Sequence, residues 1–162
     1  MKIWAGLVVA LLLCGCVYDG PLVEDAVVPV DPALTGLWQE IPKEGEAEDP
    51  DEKLLILPFS KTEYVAVVSP GDGGLYFRAY PVHLEGMELI QLEWLGVDKD
   101  EDEPYHVCRY SLKDGVLTVE MLNDDVISSD LKDAAALREA LLANLRNPDL
   151  FQSQGCYRRL ND

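Results

Sequence analysis

The residues from Leu75 to Leu95 read LYFRAYPVHLEGMELIQLEWL, and this stretch decides the fold that the sequence predicts. Apolar and polar residues alternate from Ile90 to Trp94 in its second half. Such alternation places the apolar side chains on one face of a strand and the polar side chains on the other. Between the two halves lies Glu85-Gly86, where glycine permits the positive φ of a tight turn. The stretch therefore predicts a β-hairpin with one core face and one wet face.

Short apolar or alternating runs of the same kind recur on both sides of this hairpin, with turn residues between them. Because consecutive runs joined by short turns pair as hairpins, we expect an antiparallel meander in a mainly β domain. A final strand from Gly155 to Leu160 is expected to follow a helix. The other predicted strands are Gly36 to Ile41, Leu54 to Phe59, Glu63 to Ser69, Leu75 to Leu84, Met87 to Leu95, Tyr105 to Leu112 and Val116 to Leu122.

One segment changes from the strand period to a helical period. Leu137, Leu141 and Leu145 are spaced by four through an alanine-rich stretch. Asp133 suits the N-cap of this segment, and Pro148 ends it. The sequence therefore predicts one amphipathic α-helix before the last strand.

The N-terminus has the order of an export signal. Lys2 precedes an apolar run from Ile3 to Leu13. The segment Ile3 to Val17 has 15 residues, whereas a membrane-spanning helix needs about 20. A cleaved signal peptide is therefore favoured over a permanent transmembrane anchor.

Leu13-Cys14-Gly15-Cys16 resembles the bacterial lipobox, in which a small residue precedes the cysteine that takes a diacylglycerol. Gly15 occupies the small position before Cys16, whereas bulky Leu13 makes Cys14 a poor alternative. The resemblance implies a signal peptide over residues 1–15 and a lipid on Cys16 that holds the chain to a membrane. Ordinary signal cleavage with a free thiol is the alternative.

Residues 16–33 are predicted to form a lipidated tether, and residues 34–162 one folded domain. The tether carries Pro21, Pro29 and Pro32, and each proline disfavours helix before it. Val17 stands at the position where the enterobacterial signal for retention in the inner membrane has an aspartate. The resemblance therefore favours sorting to the periplasmic face of the outer membrane. This location in the cell envelope assumes a host with two membranes.

The formal net charge of the chain is −17. Such a charge repels the phosphates of nucleic acids and anionic lipid headgroups, so neither is expected as the main partner. Cationic peptides, amines or metal ions fit better. The simpler interpretation is that the charge keeps an anchored domain soluble.

Gly36-Leu37-Trp38 on the first strand resembles the Gly-x-Trp signature that opens lipocalin-like barrels. Arg158-Arg159 on the last strand resembles the arginine that packs over that tryptophan in the family. The resemblance implies an up-and-down meander that closes into a small barrel or half-barrel. The helix before the last strand departs from the family pattern. The interior is expected to be filled, with a small apolar cavity as the alternative.

Two acidic runs fall between the predicted strands. Residues 44–52 are expected to form a mobile loop, with a lid over the barrel mouth as the functional alternative. Residues 98–103 alternate acids as a calcium loop does, yet they lack the glycine that such a loop needs. A solvated hairpin loop is therefore favoured for the second run.

The candidates for catalysis and metal binding are sparse. His106 and Cys108 are expected to share one strand face, and a buried core pair is favoured over a metal or thiol–imidazole site. The sequence lacks the common nucleophile, zinc and phosphate motifs. We therefore expect no catalytic residues, no metal site and no cofactor.

Cys108 and Cys156 are the cysteines left after processing, and an oxidising compartment would favour a disulfide between them. A plain meander argues against the bond. Their strands would flank the Val116 strand and lie about 9 to 10 Å apart, beyond disulfide reach. Both outcomes stay open from the sequence.

Taken together, the sequence predicts an anchored envelope lipoprotein that presents a non-catalytic acidic binding or scaffolding domain to another envelope protein. The alternative is a carrier of a small apolar ligand inside the barrel. An enzyme is not expected, because the chain does not supply a nucleophile, a base and an orienting group together.

Overall fold

A computed structural model of the chain describes residues 18–96, 104–131 and 133–160. The predicted signal peptide, the lipidation residue Cys16 and the acidic run 98–103 all lie outside the described residues. Eight antiparallel strands form a closed barrel in sequence order, and the last strand pairs with the first. The strands are β1 Gly36–Glu40, β2 Lys53–Pro58, β3 Tyr64–Val68, β4 Leu75–Leu84, β5 Met87–Trp94, β6 Tyr105–Lys113, β7 Val116–Leu122 and β8 Phe151–Arg159.

The barrel has two distinct ends. The "loop end" carries the longer connections, which are residues 41–52, 69–74, 95–104 and 123–150. The "hairpin end" carries the short connections 59–63, 85–86 and 114–115, together with the 3-10 helix Pro32–Leu34 that precedes β1. At two of the tight turns Glu85 and Asp114 have positive φ, each followed by a glycine that also has positive φ. The predicted mainly β meander is confirmed, and it closes as a full barrel.

The helix, α1, runs from Ala134 to Ala143, and the Asp133 side chain caps it by accepting a 2.8 Å hydrogen bond from the Ala136 amide. It ends before Leu145, because Asn144 is the C-cap and turns its side-chain amide back to the Ala140 carbonyl. The helix is thus shorter than the leucine spacing predicted.

The last strand begins four residues earlier than the predicted start at Gly155. A register shift between Val119 and Glu120 marks a β-bulge in its pairing with β7. A bulge interrupts the two-residue alternation, so the part of β8 that precedes it does not have a clear strand pattern.

Two apolar cores lie on opposite sides of the barrel wall. The "interior core" lies inside the barrel and contains Leu34, Trp38, Tyr64, Ala66, Phe77, Ala79, Leu117 and Tyr157. The "outer core" lies between the outer wall, helix α1 and the N-terminal segment, and contains Tyr18, Leu22, Val82, Leu84, Leu89, Val107, Leu122, Ile127, Leu137, Leu141, Leu150 and Phe151.

The N-terminal segment differs from the predicted free tether. Residues 18–31, here called the strap, run from the outer wall of the barrel at Tyr18 to the hairpin end at Val30. Tyr18 and Leu22 are buried in the outer core, and the Val30 amide bonds to the Lys61 carbonyl at 3.0 Å. The folded unit therefore begins at least as early as Tyr18 rather than at Leu34, because strap side chains complete a core that starts on the barrel wall.

The strap also changes the interpretation of β5. Gln91 and Glu93 lie on the face that the alternation predicted to be wet, yet both are buried. The Gln91 side chain accepts a hydrogen bond from the Val23 amide at 2.9 Å and donates one to the Val23 carbonyl at 3.1 Å. Gln91 thus binds the strap backbone as a neighbouring strand would, which satisfies its polar atoms out of water.

Candidate functional site: the barrel interior

The barrel interior contains an apolar cavity of about 110 Å³. Its wall is made by side chains from seven strands and by Leu34 of the 3-10 helix, so nearly every strand contributes. Such a volume is far above the roughly 10–15 Å³ that one water needs, and below the 300 Å³ at which ordinary ligand pockets begin. The wall residues are Leu34, Leu54, Ile56, Tyr64, Ala66, Val68, Phe77, Ala79, Ile90, Leu92, Cys108, Tyr110, Leu117, Val119, Met121 and Tyr157.

The cavity resolves the two expectations for the interior. The interior was expected to be filled, yet large side chains such as Phe77, Tyr110 and Met121 line a cavity that they leave unfilled. Ala66 and Ala79 are small residues on neighbouring strands β3 and β4 that also face this space. The interior therefore contains a small apolar cavity, which was the alternative to a filled interior.

The hairpin end of the barrel is closed around Trp38. The Arg159 guanidinium carbon lies 4.8 Å from the centre of the Trp38 ring, in a cation–π contact that joins the last strand to the first. Arg159 also donates to the Ala33 carbonyl, and the indole nitrogen of Trp38 donates to the Leu34 carbonyl at 3.0 Å. These bonds fix the 3-10 helix across the barrel end.

The residues of the predicted barrel signature separate into two groups. Gly36 has a φ of +136°, a backbone conformation that favours glycine, and a Cβ at this position would make an ordinary 3.6 Å contact with the Arg159 side chain. Arg158 points the other way and pairs with Glu48 at 2.6 Å on the outer wall. Of the two arginines, only Arg159 belongs to the contact with Trp38.

The first acidic loop, residues 41–52, is held to the outer wall. The Gln39 side chain donates to the carbonyls of Asp49 and Glu52 at 2.7 and 3.1 Å, and Arg158 binds Glu48. Since Gln39 and Arg158 alternate with the inward residues Trp38 and Tyr157, both point away from the interior. These contacts place the loop beside the barrel wall, and they do not support a lid across the mouth.

An ionisable group that the sequence analysis missed lies at the loop end. Glu40 follows Trp38 by two residues and so shares its inward face, and β8 pairs it with Tyr157. Burial, followed by the nearby Glu52, raises the pKa of Glu40 to about 7. Burial, followed by the charge of Glu40, also raises the pKa of Tyr157. Because residues two apart on a strand share a face, the position of Glu40 relative to Trp38 could have identified it from the sequence.

Gly155 gives these two groups room. A Cβ at this position would lie 3.0 Å from the Tyr157 hydroxyl and 3.1 Å from a Glu40 carboxylate oxygen. Both distances are shorter than most Cβ contacts in proteins, so a larger residue would displace one of the two groups. The loop end of the interior thus carries a carboxyl group that is partly protonated at neutral pH.

His106 and Cys108 share the inward face of β6, as predicted. His106 packs edge-on against Phe77, with ring centres 6.0 Å apart, and burial lowers its pKa to about 4. Within the described ranges, His106 Nδ1 is a buried side-chain nitrogen for which no hydrogen-bond partner is found. It therefore offers one neutral polar contact beside an apolar space.

Cys108 is a buried thiol, and burial raises its pKa to about 12. A thiol in this state is a poor nucleophile and a poor metal ligand, because both roles need the thiolate. No cluster of three or more potential metal-binding side chains occurs among the residues that the structure describes.

Cys108 and Cys156 are both free. Strand β7 lies between their strands, with Cys108 opposite Met121 and Cys156 opposite Thr118. This is the arrangement that argued against a disulfide, since each thiol sits on its own side of the intervening strand. Of the two outcomes left open by the sequence, the structure has the one without a disulfide bond.

The chain matches no protein-family model, no curated protein and no solved structure in the comparisons made with it. The part of the chain covered by the structure contains no helix that is long and apolar enough to cross a membrane.

Proposed function

We propose that this chain is a lipid-anchored envelope lipoprotein whose barrel binds a small apolar ligand. The observation that carries the ligand part is the apolar cavity of about 110 Å³ inside a closed ring of strands. A dry apolar cavity of comparable size can bind a molecule such as benzene. The anchor part rests on the lipobox-like Leu13-Cys14-Gly15-Cys16.

The chemistry of the wall defines the ligand class. Aliphatic and aromatic side chains surround the space, so an apolar body of a few carbon atoms fits it. We therefore propose a neutral compound with an apolar body.

Native mass spectrometry of the unlipidated domain tests the ligand proposal. The domain purified under native conditions should carry a mass increment that disappears after denaturation and refolding. An Ala66→Leu variant, in which the added methyl groups point into the cavity, should lose the increment. The matched Val65→Leu variant changes the next residue on the same strand and should keep it. A wild-type domain that has no increment and takes up no small apolar compound would rule the carrier out.

The anchor proposal has a separate test. Intact-mass measurement of the full chain from a bacterial envelope should show cleavage before Cys16 and the added mass of acyl chains, and Cys16→Ser should abolish both the added mass and membrane association. The proposed location is the periplasmic face of the outer membrane, which fractionation on a density gradient would check.

A second candidate function is a non-catalytic binding or scaffolding domain for another envelope protein. A small apolar patch on the outer wall favours it, where the half-exposed Tyr76 and Leu95 are joined by a 2.9 Å backbone hydrogen bond. Tyr76→Ser would abolish crosslinking to a partner if the patch binds one, and would leave ligand uptake unchanged. Loss of a crosslinked partner without loss of the mass increment would therefore favour this second function.

A further inference from the structure

The chain is already fixed to the barrel two residues after the proposed lipidation site. Tyr18 is completely buried, its amide donates to the Tyr105 carbonyl at 2.8 Å, and its carbonyl accepts from the Tyr105 amide at 3.2 Å. The Tyr18 hydroxyl donates to the Ile127 carbonyl at 3.3 Å. Two backbone bonds, one side-chain bond and complete burial hold this residue in place.

These contacts put Tyr18 at a definite end of the barrel. Tyr105 is the first residue of β6, and Ile127 lies in the connection between β7 and β8, so both belong to the loop end. Consecutive Cα atoms are 3.8 Å apart, and the Cα of Cys16 is therefore at most about 8 Å from that of Tyr18. A lipid on Cys16 leaves almost no slack between the bilayer and the loop end.

We infer that the loop end of the barrel lies against the bilayer that receives the Cys16 lipid, and that the hairpin end points away from it. This inference rests on the proposed lipid anchor. It replaces the picture of a domain that moves freely on a tether with one held in a single orientation by a two-residue link.

The surface of the loop end specifies the kind of bilayer. Tyr76 and Leu95 are neighbours at this end, joined by a 2.9 Å bond from the Leu95 amide to the Tyr76 carbonyl, and both are about half exposed. An exposed tyrosine beside an exposed leucine suits the boundary between headgroups and acyl chains. The acidic loop 41–52 lies at the same end, so the partner is a zwitterionic lipid surface, since anionic headgroups would be repelled.

Lipid-quenching fluorescence of the full lipidated chain in phosphatidylcholine vesicles tests this orientation. In a Cys156→Ser background, one fluorophore is attached at Asp72→Cys on the loop end or at Lys113→Cys on the hairpin end. Both positions are exposed, and strands of this length and tilt separate the two ends by roughly 20–25 Å. Headgroup-quencher lipids should quench the Asp72→Cys probe several-fold more than the Lys113→Cys probe.

A lengthened link supplies the matched control. Ten glycine and serine residues inserted between Val17 and Tyr18 span about 16–19 Å on average and release the restraint. The quenching ratio of the two probes should then fall towards one. A ratio unchanged by the insertion would overturn the role of the short link.

Equal quenching of the two probes with the native link, or stronger quenching of the Lys113→Cys probe, would overturn the inference. Mass measurement of the same sample separates this failure from failure of the anchor. A chain without acyl mass contradicts the proposed function, whereas a lipidated chain with equal quenching contradicts the orientation alone.

Discussion

The interior core and the outer core are made from the same kinds of residue, yet their leucines are buried to different extents. Leu89, Leu122 and Leu141 of the outer core have no more than trace exposure. In the interior, Leu54, Ile90 and Leu92 line the cavity and are only partly buried.

Geometry explains the contrast. Strand number and stagger fix the diameter of a closed barrel, so small side chains such as Ala66 and Ala79 leave space that the ring cannot remove by contracting. The strap and helix α1 are not bound by this constraint and can settle onto the outer wall until the side chains are in contact. The outer core therefore supplies stability, while the interior keeps an unfilled space.

The largest expected effect comes from a matched pair of truncations on β5. Leu89→Ala removes a leucine from the filled outer core and should lower the free energy of unfolding by about 3–5 kcal/mol. Leu92→Ala enlarges an existing cavity whose wall already lacks contacts, and should cost about 2 kcal/mol or less. Urea denaturation of both variants measures the difference. If the interior truncation costs as much as the outer one, the two cores do not differ in packing as proposed.

The pH dependence of stability should also separate two interior groups, since their pKa shifts have opposite signs. For His106 the pKa falls from 6.5 in the unfolded chain to about 4 in the folded one, so the unfolded chain binds the extra proton and stability falls as pH drops between these values. At about 1.4 kcal/mol per pKa unit the complete loss is roughly 3 kcal/mol.

For Glu40 the pKa rises from 4.5 to about 7, so the folded chain holds the proton and stability falls as pH rises through that window. His106→Gln should remove the decline towards pH 4, and Glu40→Gln should remove the decline towards pH 7. Unfolding free energies measured from pH 4 to 8 would show this, and variants that keep the wild-type profile would contradict the assignment.

A smaller effect tests the polar anchor of the outer core. Gln91→Met keeps the side-chain length but leaves the Val23 backbone groups without their partners, and should cost about 2 kcal/mol. Tyr80→Phe removes a single 2.7 Å bond to Gln91 and should cost about 1 kcal/mol. Thermal unfolding ranks the two variants, and equal small losses would mean that Gln91 does not hold the strap.

The smallest effect concerns the two arginines of β8. Arg159→Ala removes the contact with Trp38 and should cost about 1 kcal/mol. Arg158→Ala removes an exposed ion pair with Glu48 and should cost no more than about 0.5 kcal/mol. The reverse order in a denaturant titration would show that barrel closure does not depend on Arg159.

The interior core was largely predictable from the sequence, and the outer core was not. Alternation along Ile90 to Trp94 correctly gives the inward face of β5, because this signal is local to the strand. The burial of Gln91 and Glu93 on the opposite face depends on what covers it, and the strap residue Val23 is far away in the sequence. No periodicity within β5 contains that information.

The candidate site shows the same limit. Gly36 and Trp38 were identified from a resemblance, and Glu40 was within reach of the same alternation. The cavity was not predictable as a volume, since it depends on how Ala66, Ala79 and their neighbours pack across a ring of fixed size. The choice between Arg158 and Arg159 likewise needed the register of β8 against β1.

The most direct test of the central claim is binding of benzene-sized compounds to the unlipidated domain, followed as a shift of its thermal unfolding midpoint. A compound that binds only the folded state stabilises it by about 2.7 kcal/mol at a concentration one hundred times its Kd. A ligand site inside the barrel should give a saturable rise in the midpoint for the wild type and for Val65→Leu, and none for Ala66→Leu. A wild-type midpoint that does not respond, or an Ala66→Leu variant that responds equally, would contradict a ligand site inside the barrel.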